Sequence, residues 1–156
     1  MESLFALAAA LEGSALGQAA RASIWLYPVA NLTHVLGAAL LVGASATFDI
    51  AILRGDRAAR WVLRAGMWLA ALGLVVQVAS GVVLFAAEAG PLLRNAAFLA
   101  KLAFILVGLA NIAVFHLFFR PEPTGGRYAR GARLAAGVSL LAWVAALLLG
   151  RTIAYV

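Results

Sequence analysis

Four long apolar stretches, at about residues 24–53, 60–87, 95–119 and 130–155, dominate this chain. A helix needs roughly 20 apolar residues to cross the hydrocarbon core of a bilayer. Within that core every backbone polar group must be satisfied internally, so such stretches can only be helices that span and pack on one another. The chain has 156 residues, 65% hydrophobic and only 12% charged, with mean hydropathy +1.02. A soluble domain carries about 25% charged residues, so a water-facing surface cannot be covered. The four spans and their short loops use nearly the whole length, which leaves no room for a separate catalytic domain. The predicted fold is all-α: one integral-membrane domain over residues 1–156, a four-helix bundle preceded by a surface segment at residues 1–22.

The opening residues do not read as a secretory signal, because they lack a basic region and carry Glu2 and Glu12. Leu4, Phe5, Ala8 and Leu11 recur at helical spacing, which predicts an amphipathic helix on the membrane surface. Gly13-Ser14 breaks it, and a second short turn or helix over Ala15–Ser23 leads into the membrane. The competing reading is a frayed tail. Trp25 and Tyr27 mark an interfacial belt, and Pro28 is tolerable in a first helical turn. Gly90-Pro91 predicts the turn after the second span, and residues 121–126 read as a loop.

Basic residues set the expected orientation. Arg54, Arg57, Arg60 and Arg64 flank the first loop, and Arg120, Arg127, Arg130 and Arg133 the third. Arg21, Arg94, Lys101 and Arg151 lie on the other side. The bias places the two basic loops in the cytoplasm of a bacterial inner membrane and both termini outside. The net charge of +6 therefore reads as a topology signal rather than a nucleic-acid footprint. The absence of cysteine excludes disulfides, iron–sulfur clusters and thiolate metal sites. Arg64 and Gly81 are spaced as Arg133 and Gly150 are, a hint of two duplicated hairpins.

Polar groups are expensive in hydrocarbon and usually face a bundle interior or cavity. Asn31, His34, Ser45 and Asp49 share one face of the first span. Gly66, Gly73, Gln77, Gly81 and Glu88 form a stripe on the second, read as close helix packing that would also permit a homo-oligomer. Lys101, Gly108 and His116 align on the third, with Asn111 to one side, and Ser139 is the polar residue within the fourth. Lys101 is expected to snorkel to the surface, Asp49 to pair with Arg54 or Arg57, and the asparagines to join helices. Trp61, Trp68 and Trp143 read as interfacial or packing aromatics.

His34 and His116 are the only histidines. Two imidazoles on two helices are a way to hold haem b, with redox exchange to quinone or a partner subunit as the implied function. Depth opposes a single shared iron. His34 lies near mid-span and His116 near the loop end of its own, a separation of roughly 10–20 Å. The alternative is non-enzymatic binding or transport of a small hydrophobic ligand or metal ion between the helices. Asn31, His34, Gln77, Lys101, Asn111 and His116 would line that site. A third reading is a structural subunit of a larger membrane complex. No catalytic residue is assigned under any of the three.

Several short patterns extend over nearly the whole length. They are Ser14-Ala15-Leu16-Gly17, Trp25-Leu26-Tyr27-Pro28, His34 with Gly37 and Gly43, Asp49, Ser80-Gly81 with Leu84-Phe85, and Asn95 and Phe98 with Lys101. Asn111 with Phe115-His116, Ser139-Leu140 with Trp143, and Arg151 with Ala154-Tyr155 complete them. In these the chain resembles a family of small four-span bacterial inner-membrane proteins without an established function. The resemblance implies the four-span topology and treats His34 and His116 as motif residues. In that family the position of Asn31 is often a glutamate, so the asparagine here weakens a proton-carrier role at that point. A more distant similarity to four-helix cytochrome b-like and copper-resistance membrane proteins rests on topology and two histidines alone.

Overall fold

The structure is a computed structural model that describes residues 2–55, 60–119 and 129–155, the side chains of residues 60–63 excepted. The described residues form six helices and no strand: α1 (Glu2–Glu12), α2 (Ala15–Ala22), α3 (Leu26–Arg54), α4 (Arg60–Arg94), α5 (Ala96–Phe118) and α6 (Arg130–Thr152). A single 3-10 turn, Ile153–Tyr155, follows α6. The helices α3 to α6 are each long and apolar enough to cross a membrane. Their outward faces carry exposed Leu32, Val35, Leu36, Leu72, Val75, Leu106 and Leu141, a surface that lipid rather than water can cover. The chain is a polytopic, all-α membrane protein.

Lipid is as apolar as leucine, so helix association here depends on close packing and hydrogen bonds rather than on the hydrophobic effect. Small residues supply that closeness. The buried face of α6 is Ala132, Ala135, Ala136, Ser139, Ala142, Trp143 and Ala146. Between α3 and α4 the contact is backbone on backbone: a Cβ added at Gly73 would stand 2.5 Å from Leu41 N and 2.9 Å from Gly37 O. The glycine stripe of α4 is thus occupied within the chain, with Gly66 beside Ala44 and Gly81 beside the His34 ring. The helix α3 packs on α4 and α6, and α5 packs on α6, whereas α4 and α5 touch only sparsely. Phe85 stacks on Phe98 at a centroid distance of 5.7 Å, close to the turn joining α4 and α5. Ile52, Phe115, Ala132, Ala135 and Ala136 form a buried cluster at the opposite end. There Phe48 meets Phe115 edge-on at 5.5 Å.

Helix ends follow local chemistry. Gly55, at φ 76°, gives α3 a left-handed C-terminal stop, and Arg133 Nη2 donates to Leu53 O at 2.8 Å. Asn95 caps α5 by accepting from Phe98 N at 3.0 Å. That cap makes Asn95 the turn, so the expected turn at Gly90-Pro91 is corrected. The helix breaks earlier, at Glu88 (φ −141°, ψ 37°), and resumes through Pro91 to Arg94. Pro91 is tolerated because the first turn after a break has no use for its missing N–H. The predicted loop at residues 121–126, with Arg57, Arg120, Arg127 and the side chains of Arg60 and Trp61, lies outside the described residues.

The N-terminal segment is helical and docked, which overturns the frayed-tail reading. Ser14 caps α2, accepting from Gly17 N at 3.2 Å. Gly17 lets α2 approach Ala86, whose carbonyl oxygen a Cβ would meet at 2.6 Å. The hairpin of α1 and α2 closes the break in α4. Arg21 donates to Ala87 O at 3.0 Å and to Glu12 O at 2.6 Å. Glu12 Oε1 accepts from Gly90 N at 2.7 Å. One side chain therefore takes a carbonyl freed by the break and another takes a freed N–H. Tyr27 of α3 lies beside Glu88.

Candidate functional site

The polar side chains of the spans fall into two groups at different levels. The first surrounds His34, whose Nδ1 lies 3.0 Å from Ser80 Oγ. Ser80 Oγ already donates to Val76 O at 2.6 Å. A hydroxyl has one proton to give, so His34 Nδ1–H is the donor to Ser80. Gln77 Nε2 donates to His34 O at 2.9 Å. Lys101 stands within electrostatic range of His34 and packs over Gly150, whose Cβ position is 3.2 Å from Lys101 Nζ. Gly81 and Gly150, the pair singled out by equal spacing, thus each make room for a polar side chain from another helix. Lys101 is half-buried beside α6 rather than fully extended to a surface.

The second group lines a cleft of about 560 Å³ bordered by α3, α4, α5 and α6 and open on one side, where Met67, Trp68 and His116 are exposed. Its wall is mainly apolar and aromatic, with Leu41, Phe48, Met67, Trp68, Leu74 and Phe115 prominent. It lies where α4 and α5, sparsely in contact, both contribute: Gly66, Ala70 and Ala71 from one, Ile112 and His116 from the other. Polar atoms come from Ser45, Asp49, Arg64, Asn111, His116 and Ser139. His116 is exposed, and its Nδ1–H donates to Ile112 O at 2.9 Å. Asn111 Nδ2 donates to Ala135 O at 3.0 Å, which ties α5 to α6 as an interhelical bond.

Asp49 is the acid of this site. It is only 3% exposed, and Ser139 of α6 lies beside its side chain. Its Oδ2 and the indole Nε1 of Trp143 are both buried without a hydrogen-bond partner. Of the two pairings expected for Asp49, that with Arg54 is corrected, since Arg54 is exposed while Asp49 turns into the bundle toward Ser139, and Arg57 lies outside the described residues.

The six site-lining residues expected from sequence therefore do not share one site. Asn111 and His116 line the cavity, while His34, Gln77 and Lys101 belong to the other group. Asn31 is exposed on the outside of α3 and belongs to neither. His34 sits eight residues into α3 and His116 twenty into α5, a difference in depth of ~18 Å at the helical rise. Asp49, Ser139 and Trp143 are the site residues that sequence reasoning missed. The available signal was that Asp49 is the one acidic residue inside the first apolar stretch.

Comparison of the chain with protein-family models, with curated proteins and with solved structures gave no match.

Proposed function

We propose that this chain binds a small, largely apolar molecule inside the bilayer and holds it in the cavity between α3, α4, α5 and α6, without catalysing a reaction on it. The cavity carries this reading. A volume of about 560 Å³ with aromatic walls and one polar corner at Asp49 and Ser139 has the size and composition of small-molecule sites, roughly 300–1,000 Å³ with a few placed polar groups. Sparse contact between α4 and α5 favours exchange of the ligand sideways with lipid. Orientation in a bacterial inner membrane, with the basic loops inside, rests on the arginine bias.

The haem reading is less well supported. Haem b bound by both histidines asks for two axial imidazoles at one level, and His34 and His116 stand in separate groups at different depths. The residues present do not fit such a site within one chain, and a redox role with quinone or a partner subunit loses its basis with it. Among the described residues no three side chains of the His, Cys, Asp and Glu type come together to hold a metal ion, so a metal ligand is also disfavoured against an apolar one.

The test uses the purified full chain in lipid nanodiscs and Nile red, a neutral apolar dye. Saturable binding is expected, lost in Ala70→Trp, which fills the cavity wall, and retained in Val75→Trp on the exposed face of α4. Binding that is non-saturable, or indifferent to Ala70→Trp, refutes the proposal. A visible spectrum of the same sample with a Soret band would restore the haem reading.

A further inference from the structure

The cleft proposed above as the binding site is graded along its length. Arg64 opens the membrane-crossing part of α4. Leu74, the wall residue farthest along that helix, lies ten residues deeper, ~15 Å at the helical rise. The hydrocarbon core is about 30 Å thick, so the cleft runs from one interface to mid-bilayer. On α3 the wall runs the same way, from Asp49 back to Leu41. The deep end is apolar, with Leu41, Ala71 and Leu74, whereas Arg64 and His116 stand at the interfacial end. The mouth lies between α4 and α5, where Met67, Trp68 and His116 are exposed.

One accessible charge marks that mouth. Arg64 is exposed, and among the described residues no carboxylate pairs with it. Asp49 does not answer it, because that residue is 3% exposed and its Oδ2 is buried. His116 keeps its Nδ1–H on Ile112 O. A molecule entering from the lipid therefore meets a guanidinium first and an apolar slot beyond it.

We infer that the occupant is an anionic amphiphile with one alkyl chain, a long-chain carboxylate, whose head meets Arg64 at the interface while its chain lies along Ala70, Ala71 and Leu74. This rests on the binding role proposed above and names the class of molecule bound. The planar guanidinium matches a carboxylate with two parallel hydrogen bonds. A volume of about 560 Å³, at about 30 Å³ for each water-sized group, holds roughly 20 such groups. That is one long chain with its head, and too little for a lipid with two chains. A neutral apolar molecule leaves the guanidinium unused, and an ammonium is repelled by it. An acid dissolved in the bilayer already lies with its head at the interface and its chain inward. It enters sideways through the sparse contact of α4 and α5 without turning over.

The test is competition against Nile red on the full chain in nanodiscs of zwitterionic lipid, at about pH 9, well above the carboxylate range. Palmitate, hexadecanol and hexadecylamine share one chain and differ in the head, and they are compared at equal mole fraction in the disc. Palmitate is expected to displace the dye roughly tenfold more effectively than hexadecanol, the lower end for a hydrogen bond to a charged group because Arg64 is exposed. The preference should vanish in Arg64→Gln, with folding checked by circular dichroism. It should persist in Arg54→Gln, since Arg54 is exposed at the same end of the bundle but is not on the cleft wall. Equal displacement by palmitate and hexadecanol, or better displacement by hexadecylamine, overturns the inference. So does a preference that survives Arg64→Gln or falls equally in Arg54→Gln, which would reflect basic surface charge in general. Saturable dye binding without preference for the acid defeats this inference alone, whereas loss of saturable dye binding defeats the proposed function as well.

Discussion

The contact between α3 and α4 makes a graded prediction from three glycines of similar appearance. A Cβ at Gly73 would stand 2.5 Å from Leu41 N and 2.9 Å from both Leu41 Cα and Gly37 O. All three atoms are backbone, so no side chain can swing aside. Ordinary carbon contacts lie near 3.5–4.0 Å, so Gly73→Ala must drive the two helices apart by about 1 Å. Overpacking of this kind costs about 1–3 kcal/mol. The separation also stretches the bond from Gln77 to His34 O, now 2.9 Å, which contributes about 1 kcal/mol more. Replacing glycine in a helix returns about 0.5–1 kcal/mol. The net expectation is a loss of about 1–3 kcal/mol for Gly73→Ala. At Gly43 nothing lies within 4 Å of the added Cβ, and at Gly66 only Ala44 O at 3.7 Å does. Both alanine variants there should be neutral or stabilised by about 0.5–1 kcal/mol. Reversible unfolding in mixed micelles, driven by sodium dodecyl sulfate and followed by helicity, ranks the three. If Gly73→Ala unfolds at the same detergent fraction as Gly43→Ala, the claim that these helices meet backbone to backbone is wrong.

Further expectations concern single bonds. Glu12→Gln and Arg21→Ala should each speed amide hydrogen exchange at residues 88–92 by roughly tenfold, since each removes a charge-assisted partner of about 1.5 kcal/mol or more from the break in α4; unchanged exchange would show that the hairpin does not hold it. Ser139→Ala removes the hydroxyl that lies beside the buried Asp49 and should lower stability by about 1–3 kcal/mol in the same micelle titration, more than Asn111→Ala, which removes an interhelical bond of about 0.6–1 kcal/mol. His116→Leu should change Nile red affinity at the cavity, and His34→Leu should leave it unaltered; equal effects would mean that the two polar groups communicate.

The apolar runs announced four spanning helices because length and hydropathy decide a membrane helix almost alone, although the second helix runs on to Arg94, past the expected end near residue 87. Individual bonds between helices are a different matter. Asn31 and Asp49 are eighteen residues apart, five turns of helix, and so share a direction on α3. Yet Asn31 is exposed and Asp49 is buried. Helical angle says where a side chain points, but burial depends on which neighbour covers that height, and α6 covers Asp49 through Ser139. The same gap explains Trp143. Aromatics in membrane chains often mark interfaces, and only the approach of Gly108, with a Cβ position 3.0 Å from the indole, shows this ring to be interior. Conversely, the mismatch in depth of the two histidines was legible, because it needs only residue counts and the helical rise.

The break at Glu88 also bears on how the chain is made. Arg21 precedes Ala87, the carbonyl that it takes, by 66 residues, and Glu12 precedes Gly90 by 78. During synthesis the closing groups therefore emerge first and wait for the helix end they complete. Had the cap followed the break in the chain, a stretch of open backbone would have stood at the membrane through the synthesis of whatever lay between. With the hairpin placed ahead, α4 can be sealed as soon as it emerges, before α5 and α6 exist.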